Sequence, residues 1–226
     1  ASAGDPPAPA PAPDPAPVPA PGREAVDAAI LVRIAGVLPP GDRPVEDVLK
    51  ALAASDTRED RDVGYGARRW ALALYGSATT AWVTLVGRDG HVIAIEANVP
   101  ADPKAGATVL AAVKASGRDG SDVVVRPDGG VSWRDGPRML AWTDAVAGAL
   151  GGPRAVGELS APLRDAVAAL RDPLASLRYG STCGDGGDPP PGRDALEVLV
   201  KAKSLDGLRL ALASPNPEGR VFAAEG

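Results

Sequence analysis

Nine of the first 22 residues, ASAGDPPAPAPAPDPAPVPAPG, are proline, most of them alternating with alanine. Proline fixes φ and donates no backbone hydrogen bond, so such a stretch can enter neither a helix interior nor a central strand. It also holds almost no apolar bulk to bury. Residues 1–22 therefore read as an extended polyproline-type arm, roughly 60 Å long if fully extended at ~3.1 Å per residue. The Pro-Ala-Pro pattern lacks the flanking basic residue that proline-binding modules often use, so a plain spacer is the expected role. Folding is expected to begin at Arg23.

The remainder has few large side chains to pack. Aromatic residues make up 4% of the chain, with four Trp, three Tyr and one Phe. The core must be built from Ala, Val and Leu. Hydrophobic residues at 45% and charged residues at 23% are globular values. A net charge of −5 argues against broad binding to nucleic acid or anionic membranes, which leaves a basic footprint. With one cysteine, Cys183, no internal disulfide forms and four-cysteine zinc sites are excluded; with one histidine, His91, so is any site that needs two imidazoles. The longest apolar stretch, 28–38, is interrupted by Arg33 and is far short of the ~20 residues that span a bilayer. A start at Ala1, with small residues leading into the Pro/Ala tract, fits a mature chain after signal-peptide removal, so a periplasmic or secreted location is expected.

Three units follow from composition: the arm 1–22, an α+β domain 23–152, and a helical module 153–226 beyond the boundary signal Gly151-Gly152-Pro153. Residues 23–38 read as a helix stopped by Pro39-Pro40. Val45, Val48, Leu49 and Leu52 recur at helical spacing after Asp42 and Pro44. The run SDTREDRD, 55–62, reads as a charged loop, and 67–75 as a third short helix with Trp70 and Leu74 on one face. The segments 80–86 and 91–97 are β-branched and joined through Asp89-Gly90, a hairpin signal. A two-residue turn there sets Val86 opposite Ile93, Thr84 opposite Ile95 and Trp82 opposite Ala97, on the expected core face. Asp102-Pro103 opens a helix to about Ala115 with Val109, Leu110 and Val113 inward. A second β unit, DVVVRP and VSWR, turns at Asp128-Gly129 or Gly129-Gly130. Pro137 opens a helix carrying Met139, Trp142, Val146 and Leu150. Trp82, Trp133 and Trp142 are all expected in the core. Beyond 152 only helices are expected: one from Ser160 with Leu163, Val167 and Leu170, and one from an Asp194/Glu197 capping-box-like start with Leu196, Leu199 and Val200. The fold class is α+β, a small sheet of hairpins packed with helices and followed by an all-α module.

The segment LRLALASPNPEGRVFAAEG, 208–226, resembles one HEAT-like helical repeat. Leu208 and Leu212 sit on the first helix, Pro215-Asn216-Pro217 form the turn, and Arg220, Ala223 and Ala224 match the second; Gly219 departs from the usual branched residue. The resemblance implies an antiparallel helix pair that presents a surface to another protein. Residues 80–150, in the order hairpin, helix, strand and helix, also resemble the periplasmic domain of the ExbD/TolR biopolymer-transport family, which implies an accessory role in envelope energy transduction.

No residue is nominated as catalytic, cofactor-binding or metal-ligating, and no cofactor is expected. Neither a GxSxG elbow nor a GxxxxGK[ST] phosphate loop is present. The sole thiol-imidazole pair available is Cys183 with His91, and His91 is expected exposed beside the hairpin turn, opposite Arg88. Asp185 and Asp188 in the 181–192 loop could offer oxygens to Ca²⁺, though six or more ligands are needed. The expected function is a non-enzymatic, exported adaptor or scaffold that binds another protein. The alternatives are a hydrolase or the envelope accessory role.

Overall fold

The structure is a computed structural model and describes residues 23–100, 102–152, 158–175, 177 and 189–226. The arm 1–22 and residues 181–188 of the loop, with Cys183, Asp185 and Asp188, lie outside the described residues.

The chain is α+β. A six-stranded antiparallel sheet in the order β1-β2-β3-β4-β6-β5 is combined with eight helices, and the described residues beyond Gly152 are helical or irregular, with no strand among them. The first two helices, α1 (Arg23–Val37) and α2 (Val45–Leu52), form where the apolar spacing requires them, with Ile30, Ile34, Val45, Val48 and Leu52 buried. The next two elements differ from the sequence reading. The charged run 55–62, from its second residue on, belongs to strand β1 (Asp56–Gly64), and the expected third helix is strand β2 (Ala67–Tyr75). A two-residue turn at Tyr65-Gly66, with φ of 56° and 76°, joins them, the primed-turn geometry that suits hairpins. The charges of β1 suit an edge strand, where Arg68 forms an ion pair with Asp60 and Arg69 with Glu59 diagonally across the hairpin. Buried residues on both faces of β2 erase the alternation that would mark it as a strand.

Strands β3 (Thr80–Arg88) and β4 (His91–Asn98) form the expected hairpin, with Asp89 and Gly90 at φ of 51° and 80°. Arg88 does face His91, and Gly87 Val92, but beyond that pair the register moves by one. Val86 pairs with Ala94, Thr84 with Glu96 and Trp82 with Asn98, because Ile93 is an extra residue bulged out between Val92 and Ala94. A one-residue slip exchanges the faces. Val83 with Ala97 and Leu85 with Ile95 therefore enter the core, and Trp82 leaves it, 43% exposed. Trp133 and Trp142 are buried as expected.

Helix α3 (Ala105–Ala115) leads to β5 (Val123–Val125) and β6 (Val131–Arg134), whose turn is neither of the two expected two-residue forms. Pro127-Asp128 are the central residues of a four-residue turn closed by Gly129 N–H donating to Arg126 O at 3.0 Å, with Gly129 left-handed at φ 86°. Helix α4 (Gly136–Ala149) starts on Asp135, whose carboxylate accepts from Arg138 N, and turns Trp142 and Val146 inward.

One sheet face is covered by α1, α2 and α3. Among the described residues the opposite face is covered only at the His91 end, where Val86, Ile93 and Ala94 pack with Trp142 and Val146 of α4 and with Leu174. Helices α5 (Ala161–Arg171), α6 (Pro191–Lys201), α7 (Leu205–Leu212) and α8 (Pro217–Glu225) bury a core of their own, including Val167, Leu170, Leu196, Leu199, Leu208 and Phe222. Helix α6 begins a turn before Asp194, at Pro191, so no capping box forms; Glu197 pairs with Lys201 instead and Val200 is exposed. Helix α8 packs with α7, α5 and α6, and its first turn also bonds the sheet through Glu218. No helix among the described residues is long and apolar enough to cross a membrane.

Candidate functional site

The uncovered half of the sheet face is built from two rows of paired residues. In one, Ala73, Trp82 and Asn98 lie side by side on β2, β3 and β4; in the next, Ala71, Thr84, Glu96, Ser132 and Val124 cross from β2 to β5. Beyond the first row, at the end of the sheet, Tyr75 pairs with Thr80. Tyr75, Trp82 and Val124 are exposed by 41%, 43% and 58%.

Arg58 organises the aromatic end. The pairing of β1 with β2 shifts register between Thr57 and Glu59. Its guanidinium carbon lies 5.8 Å from the ring centroids of both Tyr75 and Trp82. Such a position over a ring face is attractive because the ring quadrupole presents its negative face. Arg58 also donates to the Tyr75 hydroxyl and pairs with Asp56 at 2.8 Å, and these two contacts, Tyr75 first, raise its already high pKa. At the far end Arg126 donates to Glu96 at 2.6 Å and contacts Asp128 at 3.2 Å. Beside Trp82, the Asn98 Oδ1 is shielded from solvent and accepts no hydrogen bond from the described residues. Chemically this is a rigid platform of two aromatic rings, a guanidinium, an amide and a carboxylate. It can stack on and hydrogen-bond to an extended chain.

A second feature is a cavity of about 340 Å³ at the covered end, lined by Arg88, Asp89, His91, Ile93, Arg138 and Ala141. His91 Nδ1 lies 2.9 Å from Asp42 Oδ1, and Arg138 donates to the same carboxylate. Arg138, by hydrogen bond and charge, holds the Asp42 carboxyl below its ordinary range, with a smaller contribution from His91. The lining offers an imidazole, a carboxylate and two guanidinium groups, with no hydroxyl or thiol among the described residues. Cys183 and the calcium candidates Asp185 and Asp188 lie outside the described residues. Among the described residues no three His, Cys, Asp or Glu side chains are grouped to hold a metal ion.

The sequence reading missed this platform, because it placed Trp82 in the core. A signal for it exists in TAWVTLV. Thr80 and Thr84 share the parity of Trp82, whereas Ala81, Val83 and Leu85 share the other, so the polar neighbours mark the tryptophan's face as the solvated one. Tyr75 and Arg58 had no such signal, since their strands were read as a helix and a loop. Comparison with protein-family models, with curated proteins and with solved structures finds no match.

Proposed function

We propose that this protein is a non-enzymatic adaptor whose open sheet face takes an extended peptide segment of another protein. The observation that carries the reading is the cluster of Arg58, Tyr75 and Trp82 on an uncovered face, in a chain with eight aromatic residues in all. Singly exposed apolar residues need no explanation, but a Trp, a Tyr and an Arg held together are the residue types that dominate binding energy at interfaces. Tyr and Trp lose little conformational entropy on binding, and Arg58 is already positioned by its contacts with both rings. The likeness of 208–226 to a helical repeat that presents surfaces to other proteins supports the same class of function.

Selection of a random peptide library on the full-length protein tests this. The expected result is enrichment of peptides whose affinity falls at least about tenfold on Trp82→Ala, roughly the 1.4 kcal/mol of a modest hot spot. Peptides that bind the Trp82→Ala and Tyr75→Ala proteins as well as the parent, or no enrichment at all, exclude the reading.

A further inference from the structure

We propose that the cavity at the covered end of the sheet binds a carboxylate carried on a short apolar body, with Arg88 as its anchor. This site is separate from the Trp82 face, and three observations support it.

The first is how the strands gather the lining. Arg88 ends β3 and His91 begins β4, and as direct partners across the turn they point to one side of the sheet. Arg88 also shares the parity of Val86, which packs with Trp142 and Val146 of α4. Both side chains therefore stand on the face that α4 covers. The bulge between Val92 and Ala94 puts Ile93 on that same face beside Ala94. Ile93 and Ala141 thus form the apolar part of a wall whose polar part is Arg88, Asp89, His91 and Arg138.

The second observation is unmet hydrogen-bonding capacity. The Arg88 side chain is 27% exposed and makes no hydrogen bond among the described residues, although a guanidinium carries several N–H donors. Its ion-pair contact is Asp89 at 3.4 Å from Nε; that carboxylate is 80% exposed, so water and salt screen the contact, and both terminal nitrogens of Arg88 are left without a partner. Arg138 gives Nη2 to Asp42 and has Asp135 at 3.5 Å from Nε, while its Nη1 is shielded from solvent and has no partner. Shielded donors left unmet cost free energy and point to an acceptor that belongs beside them. The third observation is charge. Asp42 and Asp135 already match Arg138, so Arg88 is the guanidinium of the lining that lacks a shielded counterion, which suits a monoanion. A dianion such as phosphate would meet Asp89, Asp42 and Asp135 with Arg88 alone to offset it. A carboxylate matches the terminal nitrogens of Arg88 in the bidentate geometry of a planar fork, and Ile93 and Ala141 receive its apolar body. The cavity's 340 Å³ suits a small ligand.

An NMR titration of the full chain, labelled with ¹⁵N, with 4-methylpentanoate tests this. The Asp89, His91 and Ala141 amides are expected to shift saturably while the Trp82 indole stays in place, and 4-methylpentanamide, the uncharged isostere, should move none of them. Arg88→Met removes the charge without breaking a hydrogen bond of the fold, and should weaken the acid at least about tenfold while the Trp133 indole keeps its position. Arg88→Lys keeps the charge but not the fork, and should recover part of that loss. A free acid and the carboxyl end of a peptide offer the same group, and N-acetyl-leucine separates them. Tighter binding than 4-methylpentanoate assigns the site to a peptide C-terminus, and weaker binding assigns it to a small acid. Absence of a saturable shift, an equal response to the amide, binding indifferent to Arg88→Met, or tighter binding of inorganic phosphate than of the carboxylate overturns the proposal. Peptides selected through Trp82 are unaffected by any of these results, because Trp82→Ala leaves the Arg88 cavity intact.

Discussion

Arg138 reaches from α4 to Asp42, which lies on the segment between α1 and α2, and through that carboxylate the segment is held against His91 at the start of β4. The Arg138 hydrogen bond is the largest influence on Asp42 and lowers its pKa. A carboxyl depressed in the folded state contributes stability that is present above its unfolded value, ~3.9, and is lost only as pH falls through the lower folded value. Near neutrality the Arg138–Asp42 contact is therefore not lost through protonation of the carboxylate. Carbon-13 titration of the Asp42 carboxyl should give a midpoint below ~3.9, and Arg138→Met should move it upward toward that value. An unchanged midpoint in the variant would remove Arg138 as the cause. Single residues were the least legible level of the sequence. His91 was correctly placed opposite Arg88, yet its tie to Asp42 spans 49 positions and has no local signature. Trp82 was lost to a one-residue bulge at Ile93 that the turn signal Asp89-Gly90 does not report.

Among elements, the docking of α3 on the β5–β6 turn makes a sharper claim than its helical propensity. Gly106 lies in the first turn of α3, and a Cβ there would collide with Gly129 O of that turn; the Gly129 backbone in turn lies against Pro103. Alanine is the better helix former by about 1 kcal/mol, so propensity alone expects Gly106→Ala to stabilise. Packing reverses the sign, because the obstacle is backbone and cannot rotate away. Chemical denaturation should show Gly106→Ala less stable than the parent by at least about 1 kcal/mol, in the range of overpacking changes. Gly148→Ala in α4, where no atom lies within 4 Å of the added carbon, should instead gain about 0.4–1 kcal/mol. A similar gain in both variants would show that α3 does not approach the turn this closely. Element type was legible where one face is buried, as in α2 and α5, and where a side chain caps the helix locally, as in α4, α7 and α8. It failed at β1 and β2, where charges on an edge strand mimic a loop and a strand buried on both faces mimics a helix by setting Trp70 and Leu74 four apart.

The whole molecule is joined across its two halves by a charged cluster in place of a continuous apolar core. Arg69 on β2 has 1% of its side chain exposed. It meets Glu59 of β1 at 2.8 Å, Glu218 of α8 at 3.5 Å and the carbonyl of Ala175 at 2.7 Å. Glu218 also receives Leu177 N at 3.0 Å and Arg61 at 2.7 Å, while buried Asn216 donates to Asp172 O and Ala175 O, at 2.6 Å and 3.0 Å. Sheet, connecting segment and helical module thus share one guanidinium. A buried ion pair is weak evidence of net stabilisation, but removing one member strands the others, which typically costs 3–5 kcal/mol. Glu59 and Glu218 keep some solvent contact, so the low end applies. Arg69→Ala should lower unfolding free energy by about 3 kcal/mol, and the loss should be shared by both halves. Hydrogen exchange should then quicken in α8 and in β2 together, because each loses the same partner. Arg61→Ala, whose side chain is 36% exposed, should cost less than about 1 kcal/mol. If Arg69→Ala is as mild as Arg61→Ala and α8 keeps its protection, the halves are held instead by Leu174 packed with Trp142, and the charged cluster only sets their register.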